Sequence, residues 1–147
     1  MGEEDLSYAH AVAVKVLAEA GTSYRGYIGE VNAEDPLEYP YFCVWVPPGN
    51  RSSSTLATRQ SIEFRSVIQI TISGRDVRET ATAADRIAAA VVDHKPAVAG
   101  RRNVRCTQIP QSIPISAPPG DRDPATGRQV FETSLQVAIF SLPDPAA

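Results

Sequence analysis

A chain of 147 residues with 43% hydrophobic and 21% charged side chains is long enough for one well-formed core, short for two, and too apolar to be disordered throughout. Its formal net charge of -3 argues against a dedicated nucleic-acid binder, and two cysteines without Cys-x-x-Cys spacing exclude a multi-bridge disulfide scaffold. No apolar run approaches the roughly 18 residues of a membrane helix. The opening Met1–Asp5 is acidic and lacks a signal-peptide pattern, and Leu6 stands where a myristoylation signal wants Ser or Thr. These features lead us to expect a protein made and kept in a cytoplasm.

The first periodic segment, Leu6 to Ala20, predicts a helix with Ser7 as N-cap and Gly21 as a stop. Val12, Ala13, Val16, Leu17 and Ala20 form its apolar stripe, and the small side chains suit close packing on a sheet. Tyr24–Val31 predicts a short strand weakened by Gly26 and Gly29, and Asp35-Pro36 breaks the chain. Pro40–Val46 is a clearer strand, apolar on both faces and so central or covered on both sides. Residues 47–61, with Pro47, Pro48, Gly49 and three consecutive serines, offer almost nothing but Leu56 for burial, which predicts a long flexible loop.

From 62 to 73 the alternation is strong. Ile62, Phe64, Ile68, Ile70 and Ile72 share one face, Glu63, Arg65, Gln69, Thr71 and Ser73 the other, and only Ser66 and Val67 break the pattern. A strand of that length usually has something further to pair with. Asp76-Val77-Arg78-Glu79 has capping-box spacing and opens a helix expected to run to about Asp93. Its expected stripe is Val77, Ala81, Ala84, Ile87, Ala88 and Val91, with Arg78, Thr82, Asp85 and Arg86 facing away. Val104–Ile109 is a further strand. The segment 110–128 is a proline-rich connector, and Phe131, Leu135, Val137 and Ile139 mark the inward face of a last strand. A tail from Ser141 to Ala147, with two prolines, is expected to fray. The order α-β-β-β-α-β-β leaves little room for parallel crossovers. It predicts a single α+β domain with one mostly antiparallel sheet and both helices on one face.

The chemistry is sparse. His10 and His94 are expected to be surface or helix-end histidines, and no His/Cys set has zinc spacing. Cys43 and Cys106 are expected as buried free thiols. The glycines Gly26 and Gly29 lack the rest of a dinucleotide fingerprint, and no Walker lysine exists. Asp121, Asp123 and Glu132 fall at the first, third and twelfth places of a calcium loop. Pro124 and Ala125 offer no ligand at the fifth place, and Gly127 comes one residue late, so a solvated turn is expected. Arg101, Arg102 and Arg105 form the one basic cluster, expected to be solvated or subunit-facing and to pair with Asp76, Glu79 or Asp85 within or between copies. No catalytic residue, metal or cofactor is expected, and the chain suits a structural role.

Four stretches carry a resemblance: Ala9–Leu17, Tyr39–Val46, Val67–Val91 and Val130–Phe140. In the third, a long strand ends in a small residue and leads straight into a helix that begins polar and turns alanine-rich. In order and spacing they resemble the tail terminator (tail completion) proteins of long-tailed bacteriophages, minor tail proteins of the virion. The resemblance implies a hexameric ring on the head-proximal end of the tail tube. Such a ring ends tube polymerisation, meets the tail tube protein on one side and the head–tail connector protein on the other, and lets DNA pass without specific binding. It also implies assembly in a host bacterial cytoplasm with no membrane contact. The interface residues it suggests are Arg51, Ser52, Ser53, Ser54 and Arg59 in the long loop, with Arg65, Arg78 and Arg86 on the body. The proline-rich 110–124 segment departs from the simplest members. A neighbouring head–tail connector protein of similar plan, a generic cytoplasmic binding protein, and an enzyme with an unrecognised site are the competing readings.

Overall fold

The computed structural model describes residues 4–31, 37–46, 63–110, 114–118, 120 and 122–144. The elements are α1 (Glu4–Thr22), β1 (Arg25–Ile28), β2 (Tyr41–Trp45), β3 (Phe64–Gly74), α2 (Val77–Val91), β4 (Arg101–Ile109) and β5 (Phe131–Pro143), in the α-β-β-β-α-β-β order that the pattern predicts. They make one five-stranded sheet, β1-β2-β3-β5-β4, with both helices on one face. The residues 47–61 expected as a loop lie outside the described residues.

β3 is the centre of the sheet. It pairs antiparallel with β5 along its full length, Phe64↔Ser141 to Gly74↔Phe131. With β2 it pairs only over Gln69–Ser73. The sequence gives the reason for the short partner: after Val46 come Pro47 and Pro48, which have no N–H to donate to a ladder. The alternation also runs straight through the two residues that seemed to break it. Ser66 faces inward at 6% exposure and Val67 faces outward at 42%. A serine is small enough for the inward position, though its Oγ has no partner among the described residues.

The sheet is mostly antiparallel, as expected, and β1 is its one parallel strand among the described residues. It runs parallel to β2, Arg25↔Tyr41 to Ile28↔Val44. The connection from Gly29 to Pro40 has about the dozen residues that a parallel return needs. Gly26 sits where β1 passes under α1. A Cβ there would lie 2.5 Å from the Phe42 ring and 3.1 Å from Lys15 Cγ, so only glycine permits the approach.

The helices are placed as expected but turned. In α1 the buried side chains are Ser7, His10, Ala11, Ala13, Val14 and Ala18, while Val16 is 56% exposed and Ala20 is exposed. Ser7 is therefore a buried residue of the second turn and not the N-cap, since the helix begins at Glu4. Gly21 is not a stop. It lies inside the helix, and a Cβ there would come 2.5 Å from Ala90 Cβ, so it lets α1 and α2 touch. In α2 the buried stripe is Thr80, Ala83, Ile87 and Val91, and Val77 is 51% exposed. The cap fixes this phase. Asp76 accepts the Glu79 N–H at 2.8 Å, and the Thr80 hydroxyl is satisfied by Asp76 O at 2.8 Å, so a polar side chain sits in the core without cost. Glu79 completes the start by accepting the Arg75 N–H at 2.9 Å and pairing with its guanidinium at 2.7 Å.

The core lies between the helices and the inner sheet face. Phe42, Val44, Ile68, Ile70, Ile72, Val137 and Cys106 are fully buried against Ala11, Val14, Ala18, Ala83, Ile87 and Val91. Each of the larger side chains contributes roughly 1.5–3 kcal/mol by leaving water. β5 runs on to Pro143, with Ser141 buried at 0%, so the fraying expected from Ser141 does not begin there; residues 145–147 lie outside the described part.

Candidate assembly surface

With both helices on one side, the other face of the sheet is left without a covering element among the described residues. Period two decides what it displays. The strand registers align its side chains in cross-strand rows: Tyr27, Cys43, Thr71 and Ser134, then Trp45, Gln69 and Gln136, then Val67, Ala138 and Thr107, then Arg65, Phe140 and Arg105.

The rows differ in chemistry. At one end Tyr27 meets Tyr41 edge-on at 5.8 Å, and the Arg25 guanidinium lies 5.4 Å from the Tyr27 ring. The middle is a polar ladder. Trp45 Nε1 donates to Thr71 Oγ1 at 2.9 Å, and Thr71 Oγ1 lies 3.3 Å from Ser134 Oγ. At the other end the Phe140 ring is flanked by two guanidinium groups, Arg65 at 5.2 Å and Arg105 at 5.5 Å. Here the sheet forms a shallow, open depression of 540 Å³ lined by Arg65, Val67, Arg105, Thr107, Ala138 and Phe140. Trp45 and Val67 are each 42% exposed. A face that mixes an exposed Trp, Arg–aromatic stacking and satisfied polar groups has the composition of a protein–protein contact.

The residues expected at an interface do not gather in one place. Arg65 is on this open face, with its Nε 3.1 Å from Glu63. Arg78 and Arg86 are exposed on α2, on the opposite layer, and Arg86 reaches the Tyr24 hydroxyl at 3.3 Å. Arg51, Ser52, Ser53, Ser54 and Arg59 lie outside the described residues. Within one copy, Asp76 caps α2 and Glu79 is taken by Arg75, so neither serves as the partner expected for the arginines of β4. Arg101 turns inward instead.

That inward turn completes a buried cluster that the sequence reading missed. His10, expected at the surface, is 0% exposed and stacks on Phe64 at 4.1 Å. Its Nδ1 lies 2.6 Å from Leu6 O and its Nε2 2.8 Å from Ser141 Oγ. Since a carbonyl only accepts, Nδ1 carries the proton, and Nε2 accepts from the Ser141 hydroxyl. Arg101 donates from Nε to Ser141 Oγ at 2.9 Å and from Nη2 to Ser141 O at 3.1 Å. Burial holds the His10 pKa below its ordinary value, the Leu6 carbonyl opposes this, and the Arg101 charge adds to it. The geometry is that of a base beside a hydroxyl, but both groups are sealed in the core, so it serves packing. The spacing Ser7, His10, Val14 was the available signal, since it is as helical as the stripe chosen.

The thiols are equally enclosed. Cys43 and Cys106 are buried and free. They stand three strands apart, about 14 Å by interstrand spacing, beyond the roughly 7 Å reach of a disulfide. Burial raises both pKa values, that of Cys106 to about 12. Neither thiol should react with an aromatic disulfide reagent in the native protein at pH 8, and both should react once it is denatured; a fast native reaction would place one of them at the surface. Among the described residues no group of His, Cys, Asp and Glu could hold a metal ion, and Asp123 is spent on a turn, accepting the Ala125 N–H at 2.8 Å.

No family model matches the sequence, and no curated protein does. Solved structures do match in fold. A chain of the virion of the native gene transfer agent (GTA) particle superposes with a TM-score of 0.57 at 13% identity, over 90% of this chain and 93% of that one. A second solved protein gives a TM-score of 0.58 at 19% identity, over 99% of both chains. The fold is thus one that a virion protein uses along nearly its whole length.

Proposed function

We propose that this protein is a structural, non-enzymatic virion component: a tail terminator that forms a hexameric ring on the head-proximal end of a phage-type tail tube. The observation that carries this reading is the fold shared, over 90% of this chain, with a chain of a gene transfer agent virion. The uncovered sheet face, with its exposed Trp45 and stacked arginines, supplies a surface for contact, and the buried His10–Ser141 pair supplies no accessible chemistry.

In this reading the ring stops tube polymerisation and joins the tail to the head connector. DNA passes through the lumen without specific binding, and assembly takes place in the host bacterial cytoplasm. Arg65 faces a neighbour from the sheet layer, and Arg78 and Arg86 do so from the helix layer. Arg51, Ser52, Ser53, Ser54 and Arg59 meet the tail tube protein or the connector protein.

The test is copy number and position. Native mass measurement of the purified chain and imaging of assembled particles should give six copies at the upper end of the tube. Deleting residues 51–58 should leave the melting temperature unchanged while impairing head-to-tail joining. Any other copy number at that position would overturn the terminator reading, and contact with the portal side alone would make it a head–tail connector protein.

A further inference from the structure

A β-bulge gathers three arginines at one end of the open sheet face. Arg65 of β3, Phe140 of β5 and Arg105 of β4 stand in one cross-strand row, and Leu142 and Arg102 stand in the next. Arg102 and Arg105 are three residues apart, so in a regular strand they would point to opposite faces. Here Asn103 and Val104 together stand opposite Ser141 alone. Asn103 takes φ 53, a left-handed conformation that asparagine tolerates better than most residues. The extra residue turns Val104 into the core at 4% exposure and leaves both arginines exposed on the uncovered face. Arg65, also exposed, shares its charge with Glu63, whereas Arg102 and Arg105 have no acid partner among the described residues. The other acids near β4 are Asp144, which is already engaged, and Asp93, which follows α2 in the helix layer and gives its N–H to the Cys106 carbonyl.

We propose that this end of the sheet receives an acidic segment of a partner protein, with carboxylates on Arg65, Arg102 and Arg105 and an apolar side chain against Phe140 and Leu142. Charge complementarity sets the occupant. The excess of guanidinium groups over Glu63 is unanswered within the described chain, and a guanidinium fork matches a carboxylate in two parallel hydrogen bonds. Spacing agrees. Arg65 and Arg105 are two interstrand steps apart, about 10 Å, and the row of Arg102 lies about 7 Å further along β4, which are distances that carboxylates two or three residues apart on an extended chain can span. A nucleic-acid backbone fits less well, since it is tracked by a longer run of cations and the whole chain carries a net charge of -3. The arginines are also continuous with exposed Val67 and Trp45, an apolar surface suited to protein. The inference rests on reading the open face as a contact surface, names the chemistry of what is met there, and requires no particular copy number.

The experiment measures fluorescence anisotropy of a labelled Glu-Glu-Leu repeat peptide with the full-length protein at low salt, beside its Lys-Lys-Leu counterpart and a labelled single-stranded oligothymidine. The wild type should bind the acidic peptide and neither of the others. Arg102→Gln/Arg105→Gln, at two exposed positions, should melt like the wild type and bind at least about tenfold more weakly. Arg122→Gln/Arg128→Gln removes the same charge from the turn before the other end of β5 and should bind like the wild type. Equal losses from the two variants, or no binding of the acidic peptide by the wild type, would overturn the proposal. Binding of the oligothymidine that Arg102→Gln/Arg105→Gln abolishes would replace the acidic segment with nucleic acid, and a wild-type assembly that the same variant dissolves would replace it with a second copy. Six copies on the tube with no peptide binding would leave the ring standing without this contact, and peptide binding with another copy number would do the reverse.

Discussion

Ile70→Asp should abolish folding. Ile70 is 0% exposed, on the inner face of β3 between Val44 of β2 and Leu135 of β5. The substitution removes roughly 1.5–3 kcal/mol of apolar burial and places a carboxylate among aliphatic side chains, at a further cost of several kcal/mol. Together these approach the whole stability of a typical domain, about 5–15 kcal/mol. Circular dichroism should show no cooperative melt. Val67→Asp is the matched control. It lies three residues earlier on the same strand, on the outer face at 42% exposure, and should change stability by less than about 1 kcal/mol. Equal effects from the two would mean that the faces of β3 are wrongly assigned.

Mild acid should weaken the fold through His10. Burial depresses its folded-state pKa below the ordinary value of 6.5, so below that pH the unfolded chain binds a proton that the native core resists. Stability is complete above pH 6.5 and falls as pH drops, by up to about 1.4 kcal/mol per unit, until the folded-state pKa is reached. Protonation would also put a donor at Nε2 toward a hydroxyl that Arg101 already approaches. Urea midpoints measured from pH 8 to pH 5 should therefore decline for the wild type. His10→Gln, which cannot titrate, should be less stable at pH 8 and flat between pH 7 and pH 5. A wild-type midpoint that held steady across that window would show that the imidazole is not sealed. A second loss, at lower pH, is expected from Glu79, whose pKa is held down by its hydrogen bonds to the Arg75 side chain.

What the sequence disclosed depended on how many positions agreed. β3 and β5 were plain because several isoleucines, a leucine and valines recur at every second place, and a slip of one residue would expose all of them. α2 was plain at its start because Asp76 and Glu79 act locally. The phase of both helices was not, because alanine-rich segments offer more than one small-residue stripe. Tertiary partners chose between them: Ser141 and Phe64 for His10, and Asp76 O for Thr80. The parallel β1 was hidden because parallel pairing leaves no local signature, only a connection of sufficient length. The open sheet face was half visible. Arg65 was singled out, but Phe140 and Arg105, which join it from β5 and β4, are brought to it only by register. Arg101 looked like one of three equivalent surface arginines until the buried Ser141 distinguished it.

The one-sided placement of the helices divides the chain into two nearly independent texts. Ser66, Ile68, Ile70 and Ile72 of β3, with Leu135, Val137 and Ile139 of β5, face the core and specify the fold, and the residues between them face the uncovered side of the sheet. The second set can change without disturbing the first. A scaffold of this kind can change its sequence very far and still superpose, as two chains do here at 13% identity, with a TM-score of 0.57 over 90% of this chain.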